Sequence, residues 1–481
     1  MKTLLSVLAF AAAAAAASAQ TAALPSLNNQ KVDGYKGIWY TQGEFYEHGD
    51  KYSGGLATYT AKHIPLAVYS PEAQKTFFVY GGIAEDRTPA AAAAIGAAAR
   101  SVGQYLLCMA GCFDHKDGTV SKPTVVHDKG GVFDPHDNPT IAIGADGYVW
   151  VFVCGRSNRR PGFIYKSRQP FSVDAFDRVH EQLMAYAQPK YVEGEGFLNL
   201  FTRYDGLRLL YFSTSPDGRA WSKHRLLAAI KRPQDKAAGH YQISGQSGKK
   251  IAFFFNWHPD GRVDRRTNIY YLQTTDFGKT WTSAGGKPIA TPVTEVGGDA
   301  LAREFFSKGQ NVYIKDIAFD AHDNPIALFL YGKGHEPGPP NGLKTWGVIR
   351  WNGTEWESHD ITTSDHNYDT GSLWVTDGKW MVVAPTDPGP QPWATGGEIV
   401  IWESTDKGKT WTRGRQVTKD SPRNHGYVRK AVGGVDPFLY FWADGDPRQL
   451  SPSLLYFGDS KGDVWQLPYT MTSDRQKPQK R

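Results

Sequence analysis

The sequence is poor in residues that would indicate a disulfide-stapled or metal-binding protein. It has three cysteines, Cys108, Cys112 and Cys154, in 481 residues. This odd number excludes a disulfide framework and leaves one bridge at most, so we expect buried thiols. Patterns such as C-x-x-C and H-E-x-x-H are lacking, and the residues therefore predict no tight metal site. Stability must come from a large hydrophobic core, which this length permits.

Long apolar runs are lacking after the first residues. Residues 1–20, MKTLLSVLAFAAAAAAASAQ, combine a charged start, an apolar stretch and Ala-Ser-Ala near the end. This pattern is typical of a cleaved secretory signal and too short for a membrane anchor. No later segment is apolar enough to span a bilayer. We therefore expect an exported protein, extracellular or periplasmic, with no membrane association.

A strong excess of charge is lacking as well. The formal net charge of +6 suits an acidic ligand, and no dense basic run with interleaved aromatics argues for nucleic acid. Glycine (51), tryptophan (15), tyrosine (24) and phenylalanine (24) are abundant, whereas helix-period apolar patterns are scarce. This composition predicts an all-β protein with many tight turns.

A turn signature recurs as SPDGRAW (215–221), TTDFGKTW (274–281) and STDKGKTW (404–411). It resembles the Asp-box, in which we expect Asp to bond backbone amides, Gly to take a positive φ and Trp to pack under the turn. The last two copies begin 130 residues apart, about three periods of roughly 43 residues. Such periods are typical of propeller blades. The chain length predicts a seven-bladed β-propeller, with six or eight blades as alternatives, forming one monomeric domain over 21–481.

A second repeat is DPHDNP (134–139) and DAHDNP (320–325). Asp and Asn bond their own backbone in such turns and Pro starts the next strand, so we interpret the motif as a turn used in two blades. His136 is the copy that we consider for chemistry, and His322 we interpret as structural. The Ala-rich stretch 88–100 predicts a short surface helix or loop without a function.

The region 105–205 resembles the propeller polysaccharide lyases. Supporting stretches are KGIWY (36–40), GHYQIS (239–244), RRTNIYY (265–271) and NHGYVRK (424–430). The chain resembles ulvan lyases and, more closely, lyases of L-rhamnose-α-1,4-D-glucuronate termini in arabinogalactan or gum arabic. The resemblance implies β-elimination that releases rhamnose and leaves an unsaturated uronate.

Uronate lyases abstract the C5 proton and expel the group on O4. Because that proton lies beside a charged carboxylate, the enzyme must neutralise the carboxylate, place a base near C5 and protonate the leaving oxygen. The reaction requires no metal, and the resemblance leaves room for a structural calcium or zinc ion. We expect one or two His, a Tyr and an Arg.

The resemblance implies four catalytic residues by spacing. His115 and His136, 21 residues apart, are candidates for the base or for a partner that polarises the substrate. Tyr186 is a candidate acid or base, and Arg203, 17 residues later, a carboxylate clamp. These side chains would act on an acidic polysaccharide or oligosaccharide.

Further residues are candidates for substrate binding. They are Tyr241, Arg265, Arg266 and His63, with Arg156, Arg159 and Arg160 as possible extensions of the surface for an acidic glycan. His63 also raises an alternative, because related α-L-rhamnosidases hydrolyse the same linkage with a single His on the opposite propeller face. The sequence is also compatible with an endo-acting ulvan lyase and with a non-catalytic propeller that binds acidic glycans.

Overall fold

The computed structural model describes residues 25–83, 105–130, 134–156, 160–205 and 207–481. The predicted signal (1–20), the Ala-rich stretch (88–100) and Arg159 lie outside the described residues. Within them the regular structure is β-strand with short 3-10 turns, and no helix there is long and apolar enough to cross a membrane. The 3-10 turns are Gly55–Ala57, Pro135–Asp137, Pro259–Gly261, Phe306–Lys308 and Pro339–Asn341.

The strands of the N-terminal region build a composite sheet and one separate hairpin. They are β1 (Gly37–Ile38), β2 (Phe45–Tyr46), β3 (Gly49–Asp50), β4 (Ala67–Ser70), β5 (Lys75–Gly82), β6 (Leu107–Asp114), β7 (Thr119–Ser121) and β8 (Thr124–Asp128). Strands β2 and β3 pair only with each other. The other six join β31 (Pro452–Ser453) and β34 (Arg475–Gln476) in an eight-stranded sheet. This sheet therefore links the two ends of the described chain.

Six further sheets are regular antiparallel blades whose strands follow one another in chain order. The first three contain β9 (Pro139–Ile143), β10 (Val149–Val153), β11 (Gly162–Ser167) and β12 (Phe176–Gln182); β13 (Ala185–Val192), β14 (Gly196–Tyr204), β15 (Arg208–Ser215) and β16 (Arg225–Ala228); and β17 (Gln242–Ser247), β18 (Lys250–Trp257), β19 (Thr267–Thr274) and β20 (Leu301–Arg303).

The remaining three blades complete the ring. They contain β21 (Gln310–Phe319), β22 (Pro325–Lys333), β23 (Lys344–Trp351) and β24 (Trp356–Ser364); β25 (Ser372–Thr376), β26 (Lys379–Asp387), β27 (Glu398–Ser404) and β28 (Thr412–Gln416); and β29 (Asn424–Lys430), β30 (Tyr440–Gly445), β32 (Leu455–Gly458), β33 (Val464–Gln466) and β35 (Gln479–Lys480).

The prediction of an all-β propeller is confirmed, but the prediction of seven blades is wrong. Six sheets of the described chain are regular blades, and the other two are the composite of eight strands and the hairpin β2–β3. In the composite sheet β1 pairs with β31, and β7 pairs with β34. A ring of sheets has to close, and here strands from both ends of the chain close it. Chain length and repeat spacing carry no information about this closure.

In each of the three recurrent turns the Asp carboxylate accepts backbone N–H groups, and the turn at 404–411 shows the full pattern. Asp406 Oδ1 accepts from the backbone N–H groups of Lys409 and Thr410 at 3.0 and 2.9 Å. Trp411 Nε1 donates to the Gly408 carbonyl at 3.0 Å. Gly408 has a φ of +81°, a conformation that disfavours other residues. Asp217 bonds two successive backbone amides in the same way, whereas Asp276 bonds the amide of Thr280 and Trp281 Nε1 has no partner among the described residues.

The hydrophobic core lies between neighbouring sheets, and the inner strands β4, β9, β13, β17, β21, β25 and β29 surround the propeller axis. At one mouth of the axis a cavity of about 550 Å³ is lined by Ile64, Lys190, Trp374 and Lys430 among others. All three cysteines are buried free thiols, as predicted, and burial raises the pKa of each to about 12.

Candidate active site

His136 is held by the turn that carries it. Asp134 caps the turn Pro135–Asp137 and accepts the backbone N–H of His136 at 3.0 Å, while its Oδ1 also contacts His136 Nδ1. Arg156 and Arg160 donate to Asp134 Oδ2 at 2.9 and 2.8 Å. Burial would raise the pKa of Asp134, but His136 and Arg156 outweigh burial and hold that pKa below its usual range. A charged Asp134 accepting from Nδ1 leaves Nε2 as the free imidazole nitrogen.

Tyr186 lies at the centre of a cluster of rings. It is 1% exposed, and the rings of His63, His136 and Tyr241 lie 5.0, 5.0 and 5.2 Å from its own. Its hydroxyl is 3.4 Å from that of Tyr241. The register of β13 against β14 shifts between Ala185 and Gln188, and Tyr186 has a φ of +54°. This irregularity is backbone strain of the kind found at functional sites. Burial raises the pKa of Tyr186, so its phenol stays protonated at neutral pH.

Arg266 is a buried cation beside the same tyrosines. Its guanidinium lies 4.6 Å from the ring of Tyr241 and donates to the Tyr368 hydroxyl at 3.0 Å and the Val263 carbonyl at 2.9 Å. The residue is 1% exposed. Across the described ranges it forms no salt bridge with a carboxylate. A buried arginine without a carboxylate is expensive, and an anionic ligand would compensate for that cost.

Three more buried cations, Lys62, Lys315 and Arg429, lie near Arg266. Lys62 Nζ donates to the Ile314 carbonyl at 3.0 Å and Lys315 Nζ to the Asn367 carbonyl at 2.8 Å. Burial, followed by the charges of neighbouring cations, lowers the pKa of Lys62. Burial likewise lowers that of Lys315. In the part of the chain that the structure describes, these groups hydrogen-bond backbone carbonyls rather than carboxylates, so a bound anion would favour the charged forms of both lysines.

The structure does not bring His115 into this cluster. Strand β8 pairs antiparallel with the start of β6, so its last residue, Asp128, lies opposite Leu107. His136 follows β8 in the chain and therefore lies near the start of β6. His115 follows the other end of β6. There its Nε2 lies 2.8 Å from Thr76 Oγ1. The two histidines are therefore at opposite ends of one strand, which their spacing in sequence does not reveal.

Arg203 and Arg265 also lie outside the cluster. Arg203 on β14 binds Asp205 at 2.9 Å and approaches His224 Nδ1 at 3.3 Å, and so turns away from Tyr186. Its neighbour Tyr204 has its ring 5.5 Å from that of His136. Successive side chains of a strand point to opposite faces. Arg203 and Tyr204 therefore point in opposite directions, and Tyr204 is the one that faces the cluster. Arg265 is exposed, and of the arginine pair only Arg266 enters the cluster.

His63 lies in the cluster rather than on an opposite face. Its Nδ1 is 3.0 Å from Thr58 Oγ1 and its Nε2 is 3.3 Å from the His136 carbonyl. Burial lowers its pKa to about 3, so the ring is neutral at neutral pH. Both ring nitrogens have protein partners. His63 is therefore placed to support the ring of Tyr186.

Sequence reasoning missed several members of the site. They are Tyr59, Tyr204 and Tyr368, whose rings line the cluster, and Asp134, which holds His136. Asp134 was visible as the first residue of the DPHDNP motif. The tyrosines carry no local signal, because they come from parts of the chain that are distant in sequence. Arg156, predicted only as part of a glycan-binding surface, bonds Asp134. In the described chain no three His, Cys, Asp or Glu side chains form a set that could hold a metal ion.

Comparison with known proteins agrees with this architecture. The profile of the family described as "BNR repeat-containing family member" matches residues 106–364. The chain belongs to this BNR repeat-containing family. An ulvan lyase of family PL25 from Pseudoalteromonas sp. (strain PLSV) is 22% identical over 283 residues, which cover 52% of this chain and 57% of that protein. The match to that lyase therefore spans little more than half of its length.

Two solved lyases share the fold of this BNR-repeat protein. One is a PL25 ulvan lyase bound to -[GlcA(1-4)Rha3S]-, with a TM-score of 0.69 at 14% identity over 90% of this chain and 96% of the other. The second is the polysaccharide lyase Uly1, with a TM-score of 0.58 at 10% identity over 90% and 98% of the two chains. At these identities the likeness establishes the propeller fold.

Proposed function

We propose that this BNR-repeat protein is a polysaccharide lyase that cleaves beside a glucuronate by β-elimination. The observation that carries the proposal is Arg266, a buried cation without a carboxylate among the described residues, which packs on Tyr241, the ring that also contacts the protonated phenol of Tyr186. A uronate carboxylate bound to Arg266 would have its charge neutralised. Neutralisation makes the C5 proton more acidic, which is the main difficulty of the reaction.

His136 is suited to the role of base. Asp134 bonds Nδ1, so Nε2 is the nitrogen that would take the C5 proton. Tyr186 is suited to the role of acid, because burial keeps its hydroxyl protonated. The phenol proton would pass to O4 of the uronate as the C4–O4 bond breaks. The electrons of the C5–H bond then form the C4–C5 double bond. This assignment separates the two roles that sequence spacing leaves undivided.

The substrate we propose is the rhamnose-α-1,4-glucuronate linkage of arabinogalactan or gum arabic, whose cleavage gives rhamnose and an unsaturated uronate. The PL25 ulvan lyase bound to -[GlcA(1-4)Rha3S]- supports glucuronate joined to rhamnose as the recognised unit. A glycan of this kind lies outside cells, in keeping with the predicted secretory signal. An endo-acting ulvan lyase is the alternative within the same chemistry, and the size of the products separates the two.

The test is incubation of the purified protein with gum arabic and, in parallel, with ulvan. We expect a rise in ultraviolet absorbance from the new C4–C5 double bond, together with free rhamnose from gum arabic. Tyr186→Phe keeps the buried ring and removes the hydroxyl, so we expect it to fold and to lose activity by about a hundred-fold or more. If neither glycan gave the double bond, the proposal would be contradicted.

The α-L-rhamnosidase alternative rests on His63. It would give free rhamnose from gum arabic without a double bond. His63 is neutral and both of its ring nitrogens are hydrogen-bonded to the protein, which supports a structural role over an acid–base one. Binding of gum arabic with no product at all would instead favour a non-catalytic glycan-binding propeller.

A further inference from the structure

The hairpin β2–β3 exposes two aromatic side chains beside the candidate active site. Phe45 is 58% exposed and Tyr46 is 38% exposed. Both are large aromatic side chains that folding would normally cover, so their exposure on adjacent positions is informative. Glu44 and Glu47, which flank them, are exposed as well. The hairpin therefore presents two aromatic rings beside two exposed carboxylates, with the Nζ of Lys51 5.6 Å from the ring of Tyr46.

The hairpin is firmly held at its base. Asp50 Oδ2 accepts the backbone N–H of Gly43 at 2.6 Å, Asp50 Oδ1 accepts that of Tyr52 at 2.8 Å, and the Asp50 N–H donates to the Pro447 carbonyl at 2.7 Å. Asp50 is 1% exposed. A buried carboxylate with these partners fixes the strand pair against the propeller. The aromatic rings thus stand on a rigid support, which lowers the entropic cost of binding a ligand.

The hairpin continues directly into the candidate active site. Lys51 and Tyr52, which follow β3, both contact Asp264, at 3.0 and 2.8 Å. The ring of Tyr52 lies 5.3 Å from that of Tyr59 and 5.6 Å from that of Tyr368, the residue that bonds Arg266. These buried contacts pack the hairpin against the cluster around Arg266 and so place Phe45 and Tyr46 close to the candidate active site.

We propose that Phe45 and Tyr46 bind neutral sugar residues of the same glycan, next to the uronate at the active site. The C–H groups of an uncharged sugar ring pack on the negative face of an aromatic ring. Glu44 and Glu47 would repel a second uronate at this position. The preferred substrate is then a glycan in which uronates are set among neutral sugars, and not a polyuronate. This inference rests on the proposed function for the position of the uronate.

The first test compares a long and a short substrate. In the double variant Phe45→Ala, Tyr46→Ala we expect KM for gum arabic to rise about three- to ten-fold, with kcat unchanged. A disaccharide of rhamnose and glucuronate lacks the further neutral sugars of the glycan that the hairpin is proposed to bind, so its KM and kcat should stay the same. Phe306→Ala, an aromatic that is 40% exposed in another blade, is the matched control. Equal effects on both substrates, or none, would overturn the proposal.

The second test measures binding without turnover, by retention in gels that contain gum arabic or polyglucuronate. We expect Phe45→Ala, Tyr46→Ala to weaken retention by gum arabic. Glu44→Gln, Glu47→Gln should strengthen retention by polyglucuronate, whereas Glu355→Gln on a distant turn should not. Unchanged retention in both variants would overturn the proposal. A loss of self-association in Phe45→Ala, Tyr46→Ala would also overturn it, because the exposed rings would then serve as a contact between two copies of the chain. Weaker retention in a protein that makes no unsaturated product would uphold the hairpin site and reject the lyase.

Discussion

The chain uses the sequence Asp-x-His-Asp-Asn-Pro twice, and the two copies share one hydrogen bond, from the His N–H to the first Asp, in different surroundings. Asp134 Oδ1 accepts the N–H of His136 at 3.0 Å, and Asp320 Oδ1 accepts that of His322 at 2.9 Å. His136 is 3% exposed among tyrosine rings, whereas His322 is exposed. The turn is therefore a general device of the fold, and its position relative to the axis gives one histidine a chemical environment that the other lacks.

The strongest test of this difference is removal of each imidazole. We expect His136→Ala to lower kcat on a glucuronate-containing glycan by about a thousand-fold, because the proposed base is lost. His322→Ala should leave kcat unchanged, since an exposed turn residue contributes little to the fold. Initial rates of double-bond formation measure both. A comparable loss in His322→Ala with normal folding would show that the two copies are not distinct.

The aspartates that begin each copy give the next largest effect. Asp134→Asn keeps the shape of the side chain but removes the charge that orients His136 and pairs with Arg156 and Arg160. We expect kcat to fall about ten- to a hundred-fold. Asp320→Asn retains an acceptor oxygen for the turn and should be active. Circular dichroism of both variants separates a change in chemistry from a change in folding.

Stability in acid sharpens the comparison further. The pKa of Asp134 in the folded protein lies below its usual range, so the carboxylate stabilises the fold above the unfolded pKa of about 4. That contribution is lost as the pH falls toward the folded pKa. We therefore expect the free energy of unfolding to depend less steeply on pH, below about pH 4, in Asp134→Asn than in the wild type. Urea titrations at several pH values measure this free energy. The same pH dependence in Asp134→Asn and in the wild type would contradict the lowered pKa of Asp134.

The smallest expected effect comes from making the copies identical. Ala321→Pro converts DAHDNP into DPHDNP. We expect no new activity, because the second copy still lacks the tyrosines and Arg266, and a change in stability within about 1 kcal/mol. The double variant His136→Ala, Ala321→Pro should be as inactive as His136→Ala. Any recovery of turnover would mean that the motif itself carries the chemistry.

Local patterns in the sequence predicted much of this molecule. Alternating apolar strands, Asp-Gly turns and their spacing indicate a propeller because they report local hydrogen bonding and strand periodicity. Tyr186, Tyr241, Arg266, His63 and His136 were predicted as site residues, and the structure brings these five together. His115, Arg203 and Arg265 were not placed there, because strand direction and side-chain alternation depend on pairing with distant strands.

The sequence by itself determined the class of fold, the turn around His136 and the supply of aromatic and cationic side chains. Tertiary structure alone decided which of them meet. The register shift in β13 accompanies the strained backbone at Tyr186, and strands from both ends of the chain close the ring. Arg266 lies beside tyrosines from other blades, including Tyr368, which is 102 residues away. Such contacts follow from the packing of whole sheets around an axis, and no local pattern encodes them.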